Sequence, residues 1–597
     1  MFSHVMIGTN DLEKSRLFYD AVLAVTGAKP GVVDRHRVFW RANGGTFSVS
    51  QPIDGQPATC SNGTTIGFNP GQPGAGGPVP RHGHRARRRA GGRPTRLARR
   101  PRRPVPVLLP RPGWPQDLRP APSAQGLSPG NASAPRWRPL CSVPMSTPTF
   151  LWHDYETFGA NPRRDRPAQF AAIRTDAELN EIGEPLMLYC QPATDVLPEP
   201  ESCLITGITP QECAAKGVPE HEFARRINDA LGEGGTIGVG YNSIRFDDEV
   251  TRFMLWRNLR DPYAREWQNG CGRWDLLDVV RTAHALRPEG IEWPVGDDGQ
   301  TTFRLEKLSA ANGLAHESAH DALSDVRATI ALARLLRQRQ PKLFDFCLSM
   351  HKKERVAQEL RLPTTLQDAR PFLHVSGMFG AARGCIAVMA PLAMHPTNKN
   401  ELLAWDLAAD PAELADLKPE AIRERLFTPT AELPEGVSRL AIKGVHLNKS
   451  PMVIGHLKTL TDAQAARHGV DLALAERHFE RLRALPDMSA LWPAVYARPA
   501  GGDALDVDED LYGGFVGNAD RRRLNDLLRL SPSELALVRT GFDDARLTEL
   551  VWRYRARNFP DTLSDAEQAR WAEHRAARLM EGEGGARAVT DPWQKAP

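Results

Sequence analysis

The chain has 597 residues, with 76 Lys+Arg against 72 Asp+Glu, 41% hydrophobic and 25% charged residues. That is globular composition, long enough for roughly three or four domains at ~150 residues each. No run approaches the ~18 uninterrupted apolar residues of a spanning helix, and the opening MFSHVMIGTNDLEKS lacks a basic region followed by an apolar one, so a soluble, cytoplasmic protein is expected. Eight cysteines (Cys60, Cys141, Cys190, Cys203, Cys213, Cys271, Cys347, Cys385) form no C-x-x-C pair, which argues against structural zinc or a disulfide framework and for reduced, mostly buried thiols.

The net charge of +4 is local in origin. Between Gly71 and Trp114 there are twelve Arg and no Lys, Asp or Glu, which leaves 64 basic against 72 acidic residues elsewhere. A nucleic-acid reading therefore has to rest on local groupings of Arg, aromatic and carboxylate residues rather than on overall potential.

In chain order, an apolar opening Val5-Met6-Ile7 precedes a capped amphipathic helix after Asn10, and His36–Trp40 and Thr46–Ser50 alternate as strands around a turn at Asn43-Gly44-Gly45. Residues 1–67 resemble the first βαβ portion of a vicinal oxygen chelate (glyoxalase-like) domain, a partial α+β fragment with His4 where that family often places a metal ligand; the second module such a site needs is absent. Residues 68–148 are rich in Pro, Gly, Arg and Ala and cannot bury a core. Three readings compete there: a basic tail for DNA phosphates, a disordered linker, and a stretch translated in the wrong frame, with the working protein beginning near Met145.

Order returns at Thr149. Strands are predicted at Phe150–Trp152, Gln169–Thr175 and Pro185–Cys190, then helices at Pro219–Leu231, Asp247–Leu259, Asp275–Ala285, Leu305–Asn312 and His320–Gln338. This is the pattern of a mixed α/β domain over 149–338. After Pro341 short strands are expected (Phe372–Val375, Cys385–Met389, Leu402–Leu407, Arg439–Lys443), giving a β-rich domain over 341–497, and 500–597 is expected to be helical.

Asp154 and Glu156 end the first of these strands, where alternation puts both on one face. Two close carboxylates raise each other's pKa unless a cation neutralises them, but D-x-E alone is common on solvated turns. TIGVGYNSIRFDDEV reads as a strand, a turn and a helix opening with Asp247, Asp248 and Glu249, acids that also suit a helix N-terminus. In AHDALSDV, His320 and Asp325 are five residues apart. At ~100° per residue they do not share a helix face, so His320 is placed in the lead-in and Asp325 on the helix, facing the strand.

Taken together, D-x-E on a first strand, N-x-x-x-F-D opening a middle helix and H-x-x-x-x-D opening a late one resemble the DEDDh exonucleases of the ribonuclease H-like superfamily. The match to HDYETFG, NSIRFDDEVTRF, DPYAREWQ, RWDLLDVVR, ALRPEGIEWP, FRLEKLSAANG, HDALSDV, HVSGMFGAARG and YRARNFPDTL is closer, and is to the bacterial exonuclease I family of single-strand-specific 3′-to-5′ DNA exonucleases. The resemblance implies an α/β ribonuclease H-like exonuclease domain, a β-rich SH3-like domain and an α-helical C-terminal domain, clamped around one strand. It implies hydrolysis to 5′-mononucleotides in DNA repair and recombination, with two Mg²⁺ per site and Mn²⁺ as a substitute. Hard cations take oxygen ligands, and two-metal hydrolysis sets two ions about 3.5–4 Å apart.

By the same resemblance Asp154, Glu156, Asp247 and Asp325 are the metal ligands and His320 is the general base, a role suited to a group titrating near ~6.5. Asp247 is chosen because the family's acid directly follows the Phe; Asp248 is the alternative. Glu156, Arg252, Tyr263, Trp267, Arg281 and Arg304 are expected to contact DNA, with Tyr263 and Trp267 as core aromatics the competing view. Arg287 is expected to help dock the acidic C-terminal tail of single-strand-binding protein. A monomer without membrane contact is expected. The first 144 residues have no place in the family and the C-terminal region looks short, which touches the clamp and partner docking rather than the catalytic residues. Rival readings are a DEDDh enzyme acting on RNA ends, a metal-dependent lyase or dioxygenase carried by residues 1–67, and a non-catalytic single-strand-binding module.

Overall fold

The computed structural model describes residues 4–24, 29–42, 45–51, 148–315, 321–497, 505–539 and 541–588. It divides into two compact units between Trp137 and Arg138. The Arg-rich segment expected to be disordered, His320 and the side chain of His4 lie outside the described residues.

In the first unit β1 (His4–Gly8), α1 (Leu12–Ala24), β2 (Val32–Asp34), β3 (Arg37–Ala42) and β4 (Gly45–Ser50) build one βαβββ module with strand order β1-β4-β3-β2. β1 runs parallel to β4 and the other pairs are antiparallel. Asp20 ties helix to sheet, accepting the Trp40 indole N–H at 2.7 Å, over a core of Tyr19, Leu23, Val38, Trp40, Phe47 and Val49.

The second unit opens with a five-stranded sheet in the order β7-β6-β5-β8-β9. Its strands are β5 (Thr149–Thr157), β6 (Pro167–Thr175), β7 (Leu186–Tyr189), β8 (Thr236–Gly240) and β9 (Gly272–Asp275). β5 pairs antiparallel with β6 and parallel with β8, so it is central and nearly all buried. Strands covered on both faces read as apolar runs rather than alternations. Phe150 and Trp152 face one core, shared with α6 (Leu276–Leu286) and α8 (Ala322–Arg339). Leu151 and Tyr155 face the other, shared with α4 (Glu220–Gly232) and α5 (Asp247–Arg257). Two short helices that the sequence reading passed over, α2 (Pro200–Thr206) and α3 (Pro210–Lys216), precede α4, and α7 (Leu305–Ala311) precedes α8.

Beyond α8 the first elements are helices, α9 (Pro341–Ser349) and α10 (Lys353–Glu359), in the opening stretch of the region expected to be β-rich. Pro341 sits at the first turn of α9, the one helical position where a missing N–H costs nothing. A second five-stranded antiparallel sheet follows, in the order β13-β12-β11-β10-β14. It is made of β10 (Phe372–Val375), β11 (Ile386–Met394), β12 (Glu401–Asp406), β13 (Ile442–His446) and β14 (Met452–Ile454), with α11 (Pro419–Phe427), α12 (Asp462–Arg467), α13 (Leu472–Arg483) and α14 (Trp492–Val495) around it. Its interior is continuous with that of the first sheet through Trp274, Phe344, Cys347 and Phe372.

The last region is helical, as anticipated: α15 (Asn518–Leu527), α16 (Pro532–Leu537), α17 (Ala545–Asn558) and α18 (Asp565–Ala576). Phe253 and Trp256 near the end of α5, and Leu259 just beyond it, pack with Leu511, Leu524, Leu547 and Tyr554. Beside this apolar seam lies a buried charged one. Arg557 reaches Asp195 at 2.7 Å and Asp508 at 2.5 Å, Arg166 reaches Asp508 at 3.3 Å, and Arg164 pairs with Glu509 at 2.9 Å. Among the described residues no helix is long and apolar enough to cross a membrane.

Candidate active site

Asp154 and Glu156 lie two residues apart on β5, on the face covered by α8, and Asp325 stands in the first turn of α8. Carboxylate oxygens of these three residues lie within 4.8 Å of one another, with Glu156 buried. Asp247 opens α5, and its Oδ1 accepts a hydrogen bond from the Tyr155 backbone N–H at 3.1 Å. The fourth acid is thus tied to the peptide between the first two.

Burial and mutual repulsion dominate the electrostatics. Asp154 is pushed well above the usual carboxylate range by burial and then by Asp247, Glu156 and Asp325. Glu156 is pushed up to about 8 by burial, Asp325, Asp247 and Asp321. Asp247 also rises to about 8, through burial and the charge of Asp248. Such a set of oxygen donors, destabilised for want of positive charge, fits one or more hard divalent cations.

Asp248 differs. It is equally buried, but Arg265 at 2.6 Å and Arg273 at 3.1 Å outweigh the burial and hold its carboxyl well below the ordinary range. Both of its oxygens are committed to guanidinium groups, whereas Asp247 faces β5. Asp275 supports the loop that leads to Asp247, accepting from the backbone N–H groups of Asn242 (2.9 Å), Ile244 (3.1 Å) and Leu277 (3.0 Å). Asn242 takes the left-handed conformation at φ 67°, which Asn tolerates better than most residues.

Of the residues expected to meet DNA, Trp267 is 67% exposed, which removes the view that it is a core aromatic. Tyr263 is partly buried, its ring 5.3 Å from the Arg252 guanidinium. Arg252 is itself buried, bound to Glu266 and Glu249 at 2.7 Å each, and backs the Tyr263 ring. Arg281 pairs with Asp278 at 2.7 Å, with its guanidinium against Gly377 of the second sheet region. Arg304 is exposed at the N-cap of α7, next to Phe303, whose carbonyl accepts the Tyr241 hydroxyl. Arg287 caps α6 and reaches the Thr459 carbonyl at 3.4 Å.

Sequence reasoning missed Phe515. It is 89% exposed and its ring lies 6.3 Å from Tyr263, at an open groove that Trp256, Pro262 and Arg521 also line. The clue was the tetrapeptide Tyr512-Gly-Gly-Phe515, an aromatic on a turn with no apolar periodicity to bury it.

Three family descriptions match in sequence order: "Exonuclease" over residues 151–333, "Exonuclease I SH3-like domain" over 351–498 and "Exonuclease I C-terminal domain" over 505–595. Exodeoxyribonuclease I of Escherichia coli (strain K12) is 48% identical over 428 residues, covering 72% of this chain and 89% of that protein. The crystal structure of E. coli Exonuclease I in complex with a dA16 oligonucleotide aligns with a TM-score of 0.69 at 46% identity, covering 73% of this chain and 92% of that one. The crystal structure of SSB/Exonuclease I in complex with the inhibitor CFAM aligns with a TM-score of 0.66 at 46% identity, covering 72% and 90%. Residues 1–148 stand outside the three matched spans, and the glyoxalase-like resemblance gains no support from them. With the carboxylates of β5, α5 and α8 set on a ribonuclease H-like sheet and all three spans matched, this chain belongs to the exodeoxyribonuclease I family.

Proposed function

We propose that the protein is a DNA exonuclease that hydrolyses single-stranded DNA from its 3′ end, releasing 5′-mononucleotides in repair and recombination in the cytoplasm. The observation that carries this is the cluster of Asp154, Glu156 and Asp325 within 4.8 Å, in a chain of this family. In this reading 149–338 is the exonuclease domain, 341–497 the SH3-like domain and 500–597 the helical C-terminal domain.

Asp154, Glu156, Asp247 and Asp325 would hold two Mg²⁺ ions, with Mn²⁺ as a substitute. When bound, the metal supplies the positive charge that activates water and stabilises the leaving oxygen in phosphodiester hydrolysis. His320 takes the proton of the attacking water, and Arg304 holds a phosphate near the cleaved bond. Glu156, on the same face as Asp154, also meets the terminal nucleotide. Trp267 and Tyr263 offer faces on which bases stack, and Phe515 extends that row toward the C-terminal helices. Arg281 takes backbone charge at the edge of the SH3-like region, while Arg252 acts through the Tyr263 ring it supports. Arg287, at the junction of α6 and the SH3-like region, fits the acidic C-terminal tail of single-strand-binding protein. The protein acts as a monomer.

The test is degradation of 5′-labelled single-stranded DNA in Mg²⁺, beside matched duplex and RNA, with the full chain and its Asp154→Ala variant. Shortening from the 3′ end of the single strand alone, abolished in the variant, is the expected result. Preferential loss of RNA, or binding without cleavage, would refute the reading.

A further inference from the structure

A hydrogen bond to the first turn of α8 comes from a strand other than β5. Glu156, Gln169 and Tyr189 stand in register across β5, β6 and β7, so their side chains share the sheet face under α8. Gln169 is 1% exposed. Its Oε1 accepts the backbone N–H of Ala322 at 3.3 Å, and its Nε2 donates to the Tyr189 hydroxyl at 3.0 Å. The amide's orientation is unambiguous, because a peptide N–H can only donate and the atom facing it must be the oxygen.

Ala322 is the first residue of α8 and is fully buried. First-turn amides have no partner within their own helix, and a buried one has no water to turn to. Asp321 caps the helix by accepting from Ser324 N–H at 3.2 Å, but Asp321 belongs to the same segment and fixes nothing to the sheet. The Gln169 bond does. It crosses from β6 to the turn of α8 that carries Asp325, three residues along.

We infer that Gln169 is a positioning residue for the metal site: it anchors the first turn of α8 to the sheet and thereby holds the Asp325 carboxylate within reach of Asp154 and Glu156. The inference rests on the proposed metal site formed by those three carboxylates. Outer partners that orient ligands typically change metal affinity by about 10–100-fold when removed.

The experiment measures Mn²⁺ binding to the full-length protein without DNA, by electron paramagnetic resonance, together with hydrogen exchange of residues 321–325 and the thermal midpoint. Gln169→Leu keeps the size of the side chain and removes the acceptor; its Mn²⁺ affinity should fall about tenfold or more and exchange at Ala322 should quicken. Gln169→Glu keeps the acceptor and should restore affinity to within about threefold of the parent. A Gln169→Leu protein with a lowered midpoint but unchanged Mn²⁺ affinity would overturn the inference, since a packing role alone does that. If Gln169→Leu does not fold, Tyr189→Phe, which frees the Gln169 amide while keeping the ring, should weaken Mn²⁺ binding by about two- to fivefold; unchanged affinity there overturns the inference equally. Asp154→Ala separates the two levels. If the parent's Mn²⁺ binding survives that change, the site itself is wrong and the inference falls with it; if binding is lost in Asp154→Ala but intact in Gln169→Leu, only the inference falls.

Discussion

Glu156 and Asp247, each pushed up to about 8 mainly by burial, should make divalent-cation binding steeply dependent on pH. In the proposed site a cation needs both as carboxylates. The ionised fraction of a group titrating near 8 falls from about one half at pH 8 to about one in a hundred at pH 6, so each group costs about 50-fold in apparent affinity over that interval. The metal-free protein should respond in the opposite sense. Folding raises both carboxyls above their unfolded values, so the folded state holds protons more tightly, and stability present below pH ~4 is lost as pH rises toward about 8. Thermal midpoints measured from pH 5 to pH 8.5, with and without saturating Mg²⁺, report both effects. Without metal the midpoint should decline across the window through these groups, and the gain on adding Mg²⁺ should grow with pH and level off above about 8. Glu156→Gln removes one of the displaced protons and should flatten the pH dependence of the Mg²⁺ gain. An equal Mg²⁺ gain at pH 6 and pH 8 in the parent would refute the reasoning, because it would mean that no raised carboxylate gives up its proton to the metal.

Asp247→Asn should abolish cleavage of single-stranded DNA with little change in the thermal midpoint, whereas Asp248→Asn should cost about 3–5 kcal/mol of stability by removing the carboxylate that pairs with buried Arg265 and one of the two that pair with Arg273; the reverse pattern in denaturation and nuclease assays would exchange their roles. Trp267→Ala and Phe515→Ala should each weaken single-stranded DNA binding by about 1–3 kcal/mol, read by fluorescence anisotropy, and leave Mn²⁺ binding unchanged. Arg557→Met should destabilise the chain by about 3–5 kcal/mol in urea denaturation, because it leaves Asp195 and Asp508 buried without their main partner.

The fold was most legible where a long apolar period met a capping signal. The helices predicted at 219–231, 247–259 and 275–285 lie at Glu220–Gly232, Asp247–Arg257 and Leu276–Leu286. The D-x-E pair was legible because a strand alternates, and Asp325 because a helix-opening acid could be placed opposite it. The short helices α2, α9 and α10 were not, since seven to nine residues give too few turns for a period, and proline at the first turn of α2 and α9 reads as a break. No periodicity separates Asp247 from Asp248, adjacent acids in one helix turn. Their difference lies in Arg265 and Arg273, whose approach to Asp248 is a fact of tertiary packing. Gln169 was equally silent, because its partner is a backbone amide 153 positions away.

The seam joining α17 to the catalytic sheet bears on how this protein can be dissected. Asp195 and Arg166 belong to the catalytic unit, yet their partners Arg557 and Asp508 come from beyond residue 505. A fragment ending before that point would not simply lack a domain. It would carry newly bared carboxylate and guanidinium groups together with the apolar ends of Phe253 and Trp256, and would associate with itself to cover them. Loss of activity on C-terminal truncation would then measure the failure of the catalytic half to stay folded. The part the last helices play on the strand is better read from Phe515→Ala, an exposed side chain whose removal leaves the seam closed.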